Sequence, residues 1–323
     1  MSDPESAKPD VLIVAPMMPF VMDALQAAYR THHLWEMTDS QLSSVAPRIR
    51  GVATNGGAGL KRTVMDALPA LEMIAIYGVG LDALDLSECA RRSIAVSNTP
   101  DVLTEDVADQ GLGLLLALAR RIVYGDGYVR SGEWARRGEM ALTMRLGGKV
   151  AGILGFGRVG QALGRRLEAL GMTVIYSSPS RPAGVTQRRY PDALALAEAS
   201  DVLIVTAAGG PQTRNLVNAE VLAALGPSGL LVNVSRGSIV NEAELISALQ
   251  AGTIAGAALD VFAAEPQVPP ELLNLDNVVL APHAASGTTE TRRAMGQLVI
   301  DNLHAYFAGQ PLKTPVRLPQ ATP

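Results

Sequence analysis

The run Val150-Ala151-Gly152-Ile153-Leu154 passes straight into Gly155-Phe156-Gly157-Arg158-Val159-Gly160 and then into an amphipathic stretch from Gln161 to Leu170. A buried strand, a G-x-G-x-x-G turn and a helix, in that order, leave few folds open. Gly155 permits the tight turn and Gly157 lets a pyrophosphate approach the backbone. Gly160 allows close packing of a helix whose N-terminus favours an anion. The expectation is a dinucleotide-binding unit in which Gly155 to Gly160, including Phe156 and Val159, form the phosphate loop. Arg158 adds charge beside it. The alternative reading is a plain glycine turn.

Apolar strand runs recur around this motif at the spacing of alternating strands and helices. Before it stand Val11 to Val14, Val52 to Thr54, Met73 to Ile76 and Ile94 to Val96. The second series is Lys149 to Leu154, Thr173 to Tyr176, Val202 to Thr206, Leu230 to Val234, Ala255 to Leu259 and Val278 to Leu280. Between the series, Thr104 to Arg121 starts acidic and ends in Arg120-Arg121, which reads as a long helix between domains. One more helix, about Thr289 to Ala308, follows Pro282 and is expected to return to the first series. The fold class is therefore α/β, with two doubly wound parallel-sheet units of Rossmann or flavodoxin type. A chain of 323 residues accommodates two such cores. The expected division is 1–100 plus 287–323 for substrate and 101–286 for the dinucleotide.

Composition excludes other classes. The longest apolar stretch, Gly111 to Ala119, is far short of a membrane span. The start Met1 to Glu5 is acidic, unlike a secretory signal, so a cytoplasmic location is expected. One cysteine, Cys89, allows no internal disulfide or thiol-based zinc site, and no metal is expected. A net charge of −4 leaves no basic footprint for nucleic acid, in spite of local clusters such as Arg188-Arg189.

Choice of dinucleotide is read at the end of the second strand of the binding unit, where an acidic residue would grip the ribose 2′-hydroxyl of NAD. Here the chain reads Tyr176-Ser177-Ser178-Pro179-Ser180-Arg181, with no carboxylate. Hydroxyls on Ser178 and Ser180 donate to a 2′-phosphate and Arg181 supplies a planar cation, so NADP(H) is favoured and NAD(H) is the alternative cofactor.

The four histidines are His32, His33, His283 and His304. His32 and His33 fall in a helix-to-strand connection, and His304 inside the last helix. His283 follows the strand Val278 to Leu280 at its carboxyl end, where open α/β sheets hold their ligands. Glu265, in Asp260 to Pro266, and Arg236, in Val232 to Gly237, also follow strands. Together they offer a proton donor, a carboxylate to orient it and a guanidinium able to grip a carboxylate with two bonds.

In these segments the chain resembles the D-isomer-specific 2-hydroxyacid dehydrogenase family, especially its glyoxylate/hydroxypyruvate reductase branch. The carriers are Tyr77-Gly78-Val79-Gly80-Leu81-Asp82, Gly155 to Gly160, Ser235-Arg236-Gly237, Asp260 to Pro266 and Pro282-His283. The resemblance implies that Arg236 binds the substrate carboxylate and polarises its 2-oxo group, while Glu265 pairs with His283, the proton donor. It implies substrate contacts at Asn55, Gly56 and the backbone of Val79 and Gly80, and dinucleotide contacts at Val234, Ser235 and Asp260. It also implies a cleft site between the two domains, and a homodimer built on the long helix with Trp134 reaching toward the partner subunit. The expected reaction is reduction of hydroxypyruvate or glyoxylate to D-glycerate or glycolate. A reductase for a bulkier 2-oxo acid and a non-catalytic, dinucleotide-sensing protein like the co-repressors of this fold are the rival readings.

Overall fold

The computed structural model describes residues 8–319, so the acidic start Met1 to Glu5 lies outside the described residues. The chain separates into two compact units, Met1–Leu103 with Thr288–Pro323, and Thr104–Gly287.

In the first unit the strands are β1 (Asp10–Ile13), β2 (Arg30–His33), β3 (Ile49–Asn55), β4 (Met73–Tyr77) and β5 (Ala95–Ser97). All pair in parallel, in the order β2-β1-β3-β4-β5. The central strands are apolar at successive positions because both faces of a parallel sheet are covered. On one face Val11, Ile13 and Tyr77 pack with Met295, Val299 and Leu303 of the helix Thr289–Phe307. On the other, Leu12, Val52 and Ile74 meet Met65 and Leu68. The returning helix is capped by Thr288, whose hydroxyl accepts from the amide of Thr291, and is tied to β4 where Tyr77 Oη donates to Arg292 O at 2.8 Å. Cys89 is buried, and burial pushes its thiol up to about 11, leaving it inert.

β2 corrects the expectation of a helix-to-strand connection at His32 and His33, which lie in the strand itself. Arg-Thr-His-His has no apolar signature, yet its backbone completes the sheet edge, pairing Asp10 with Arg30 and Leu12 with His32. Asp10 Oδ1 lies 2.7 Å from His32 Nε2, and His33 stacks on Trp35, so both rings have structural partners.

The second unit contains β6 (Val150–Leu154), β7 (Thr173–Ser177), β8 (Arg188–Tyr190), β9 (Val202–Val205), β10 (Leu230–Asn233), β11 (Gly256–Leu259) and β12 (Val278–Leu280). They form one parallel sheet in the order β12-β11-β10-β9-β6-β7-β8. The winding reverses between β6 and β9, which opens a crevice at their carboxyl ends. The helix expected between domains spans Thr104–Ala119 and belongs to this unit, burying Val107, Gly111, Leu114, Leu115 and Leu118. The helix after β6 spans Arg158–Ala169, three residues earlier than its amphipathic pattern suggested, because the last residues of the glycine motif form its first turn. β8 has no counterpart in the sequence reading.

Candidate active site

The glycine motif sits at the carboxyl end of β6, beside the reversal. Gly155 has φ +94°, and a Cβ there would lie 2.4 Å from Ala207; at Gly160 a Cβ would lie 2.4 Å from the Gly155 carbonyl. Both close approaches need glycine. Gly157 differs, since a Cβ there would meet nothing within 4 Å. It is the N-cap of the helix Arg158–Ala169 and provides no capping side chain, so the first-turn amides border open space. That cradle fits the phosphates of a dinucleotide. The Thr206 hydroxyl donates to Gly155 O and braces the turn from β9. Phe156 is a partial correction: the residue is 2% exposed and its ring stacks on Tyr176 at 4.4 Å, so its side chain belongs to the core. Val159 is half-buried and Arg158 exposed.

At the end of β7, Ser178 is half-buried and Ser180 and Arg181 are exposed. Arg181 Nη2 donates to Val185 O at 3.2 Å, folding the side chain over its own loop.

β10, β11 and β12 are neighbours, and their carboxyl ends carry Arg236, Glu265 and His283. Asn233, 1% exposed at the end of β10, was missed by sequence reasoning. Its Oδ1 accepts from Ser235 N at 3.1 Å and its Nδ2 donates to Arg236 O at 2.9 Å, pinning the Ser235-Arg236 turn. The only sequence signal for it is a polar side chain at the end of an apolar run. The Ser235 hydroxyl donates to Ala207 O, and Val234 is buried beneath. Beside Arg236, a Cβ on Gly237 would fall 2.0 Å from the backbone of Phe262. The arginine turn and the Phe262–Glu265 loop are thus in direct contact.

That loop is fixed at two amides. Phe262 N donates to Glu265 Oε1 and Ala263 N donates to Glu242 Oε1, both at 3.0 Å. Glu242 opens the helix Glu242–Gln250, whose N-cap is Asn241, and was likewise unforeseen. Glu265 Oε2 then meets His283 Nδ1 at 2.6 Å, which leaves Nε2 as the outward-facing nitrogen of a ring whose side chain is 43% exposed. His283 itself has φ +50°, a left-handed conformation rare outside glycine.

Asp260 maintains that conformation. Its backbone carbonyl accepts from His283 N at 2.8 Å, and its carboxylate accepts from Ala284 N at 2.8 Å and Ala285 N at 3.0 Å. Three successive amides converge on one fully buried residue. Burial holds its carboxyl above the ordinary range, against the opposing pull of those amides, His283 and Gln110. Expected as a dinucleotide contact, Asp260 in this structure shapes the histidine turn.

Burial also pushes Glu265 up, but the His283 bond, the Phe262 amide and the charges of His283 and Arg236 outweigh it, so the carboxyl titrates below its ordinary 4.5. A depressed carboxyl stabilises the fold above its unfolded value, and that contribution is lost as pH falls through the lowered folded value. Glu265→Gln is therefore expected to be less stable than the parent at neutral pH, with the urea midpoints converging below about pH 4.5. A gap that persisted unchanged into acid would show that shape and not charge accounts for the loss.

In the first unit the structure brings Asn55 and Gly56, at the end of β3, beside the segment after β4. A Cβ on Gly56 would lie 3.4 Å from Gly80 O. Asn55 Oδ1 accepts from Gly57 N and Ala58 N, and Asn98 Nδ2 donates to Val79 O at 3.0 Å. Trp134 is 60% exposed on the short helix Glu133–Arg137.

The profile of the D-isomer specific 2-hydroxyacid dehydrogenase NAD binding domain matches residues 112–285. The chain is 46% identical to a 2-ketogluconate reductase of Gluconobacter oxydans, covering 96% of this chain and 99% of that protein. It is 45% identical to glyoxylate/hydroxypyruvate reductase A of Arabidopsis thaliana, covering 95% and 98%. Among solved structures, an NADPH-dependent glyoxylate/hydroxypyruvate reductase of Sinorhizobium meliloti in complex with NADP and malonate superposes with a TM-score of 0.90. That protein is 43% identical, with 96% of this chain and 97% of that one covered.

Proposed function

The chain belongs to the D-isomer specific 2-hydroxyacid dehydrogenase family, and from that premise we propose that it is an NADPH-dependent reductase converting hydroxypyruvate or glyoxylate to D-glycerate or glycolate. The observation that carries the reading is the 2.6 Å His283–Glu265 pair, which joins the loops after β12 and β11 beside the Arg236 turn that follows β10. When bound, the dinucleotide supplies a hydride to C2 of the oxo acid. Negative charge then grows on the carbonyl oxygen, and Arg236 stabilises it while holding the substrate carboxylate with two bonds. His283, gripped at Nδ1 by Glu265, donates its Nε2 proton to that oxygen, and the neutral ring is the base for the reverse reaction. Asn55, Gly56 and the Val79 and Gly80 amides are assigned to the substrate, and Val234, Ser235 and Asp260 to the nicotinamide end. The proposed first test is initial-rate oxidation of NADPH and NADH with hydroxypyruvate, glyoxylate, 2-ketogluconate and phenylpyruvate. Fast NADPH oxidation with the first two is the expected outcome. Preference for either larger acid would favour a bulkier substrate, a reading supported by the 2-ketogluconate reductase relative. Binding without turnover would turn the assignment to a dinucleotide sensor.

Ser178, Ser180 and Arg181 are the proposed 2′-phosphate contacts, supported by the absence of a carboxylate from Tyr176 to Arg181. Arg181→Ala is expected to raise the KM for NADPH about tenfold, as loss of a charge-assisted contact to phosphate would, while the KM for NADH stays within a factor of about two. Equal losses would count against the phosphate role. A homodimer is proposed on the second unit's apolar surface, where Ile122, Val123, Val129, Trp134 and Leu142 are 55–99% exposed. Sedimentation at the monomer mass would remove it.

A further inference from the structure

Arg189 is absorbed by none of the roles above. It lies on the edge strand β8, opposite Tyr176 of β7, so its side chain runs beside the strand end that carries Ser178 to Arg181. Its guanidinium forks onto two consecutive carbonyls of that segment, Nε to Ser178 O at 3.0 Å and Nη2 to Pro179 O at 3.1 Å. The same loop is closed from within by Arg181 Nη2 on Val185 O. Two arginines thus brace one ten-residue excursion, Ser178 to Gln187, and the outer brace grips its first two residues.

We infer that Arg189 is a positioning residue that fixes this loop for the 2′-phosphate of the dinucleotide and contributes to the choice of NADP(H) over NAD(H); this rests on the reading of Ser178, Ser180 and Arg181 as the phosphate contacts. The physical basis is twofold. Unpaired carbonyls at Ser178 and Pro179 would present negative ends to an anion held by this loop, and a guanidinium bonded to both occupies those ends and fixes the main chain that carries Ser178 and Ser180. A fixed cation one bond away from the loop also adds attraction for a doubly charged phosphate that a bare 2′-hydroxyl does not feel. Lysine cannot replace the fork, because an ammonium reaches the two carbonyls only as a point charge.

The test is equilibrium binding of NADP⁺ and NAD⁺ to the parent protein, Arg189→Ala and Arg189→Lys by calorimetry, with amide hydrogen exchange over residues 178–187 in the cofactor-free proteins. Arg189→Ala is expected to weaken NADP⁺ by roughly five- to tenfold, the scale of one partly solvated charge interaction, and NAD⁺ by less than about twofold, with faster exchange across the loop. Arg189→Lys is expected to fall between the parent and the alanine variant in NADP⁺ affinity. Loss of both cofactors by the same factor, or unchanged NADP⁺ binding, would overturn the inference while leaving the phosphate contacts standing. A parent protein that binds NAD⁺ as tightly as NADP⁺ would instead overturn the phosphate site, and this role for Arg189 with it.

Discussion

Replacement of His283 by alanine is expected to lower kcat/KM with a 2-oxo acid by about 10²–10⁴-fold, the range over which a positioned general acid contributes. The loss should appear in kcat, because proton donation matters only as charge develops on the carbonyl oxygen. NADP⁺ affinity should remain near that of the parent, since the phosphate loop follows β6 and the histidine follows β12. The turn carrying His283 is held by backbone amides to Asp260, so the alanine variant retains those bonds. Stopped-flow reduction of glyoxylate and calorimetric NADP⁺ binding on the same preparation check both halves. Undiminished turnover would sink the assignment of the proton donor.

Arg236→Ala is expected to lower kcat/KM by a comparable factor, about 10³-fold, because one guanidinium is asked to serve both the substrate carboxylate and the developing oxyanion. Both kcat and KM should suffer. Arg236→Lys is expected to recover only part of the loss, since an ammonium lacks the planar fork. The Asn233 side chain bonds the backbone at Ser235 and Arg236, so the turn survives either substitution. If the lysine enzyme matched the parent, two-pronged recognition would be wrong and a simple positive charge would suffice.

What was legible in the sequence was whatever a short segment states by itself. The strand–glycine–helix run announced its fold because Gly155 and Gly160 answer local steric demands and Gly157 leaves the helix N-terminus open, and His283 stood out because it follows a strand end. The edge strands β2 and β8 were not legible. Arg-Thr-His-His and Arg-Arg-Tyr have no apolar run, and it is the neighbouring backbone that makes them strands. Asn233, Glu242 and the second task of Asp260 were hidden as well. Glu242 and Asp260 meet backbone amides brought near by the fold, which no spacing rule names, while Asn233 bonds the main chain two and three residues on, a local turn that its apolar strand disguises.

Arg236, Glu265 and His283, the side chains assigned to the reacting end of the substrate, follow β10, β11 and β12, adjacent strands of one unit, and Gly237 presses two of their loops together. Their strands are spaced by the pitch of a parallel sheet, close to 5 Å per strand, and the loops beyond are tied by bonds to the main-chain amides of Phe262, His283, Ala284 and Ala285. Asn55, Gly56, Val79 and Gly80 belong to the other unit. In the proposed enzyme the residues assigned to the reaction and those assigned to selecting the acid consequently lie in different units. Exchange of the loops after β3 and β4 is therefore expected to change which acid is admitted while Arg236, Glu265 and His283 keep their mutual geometry.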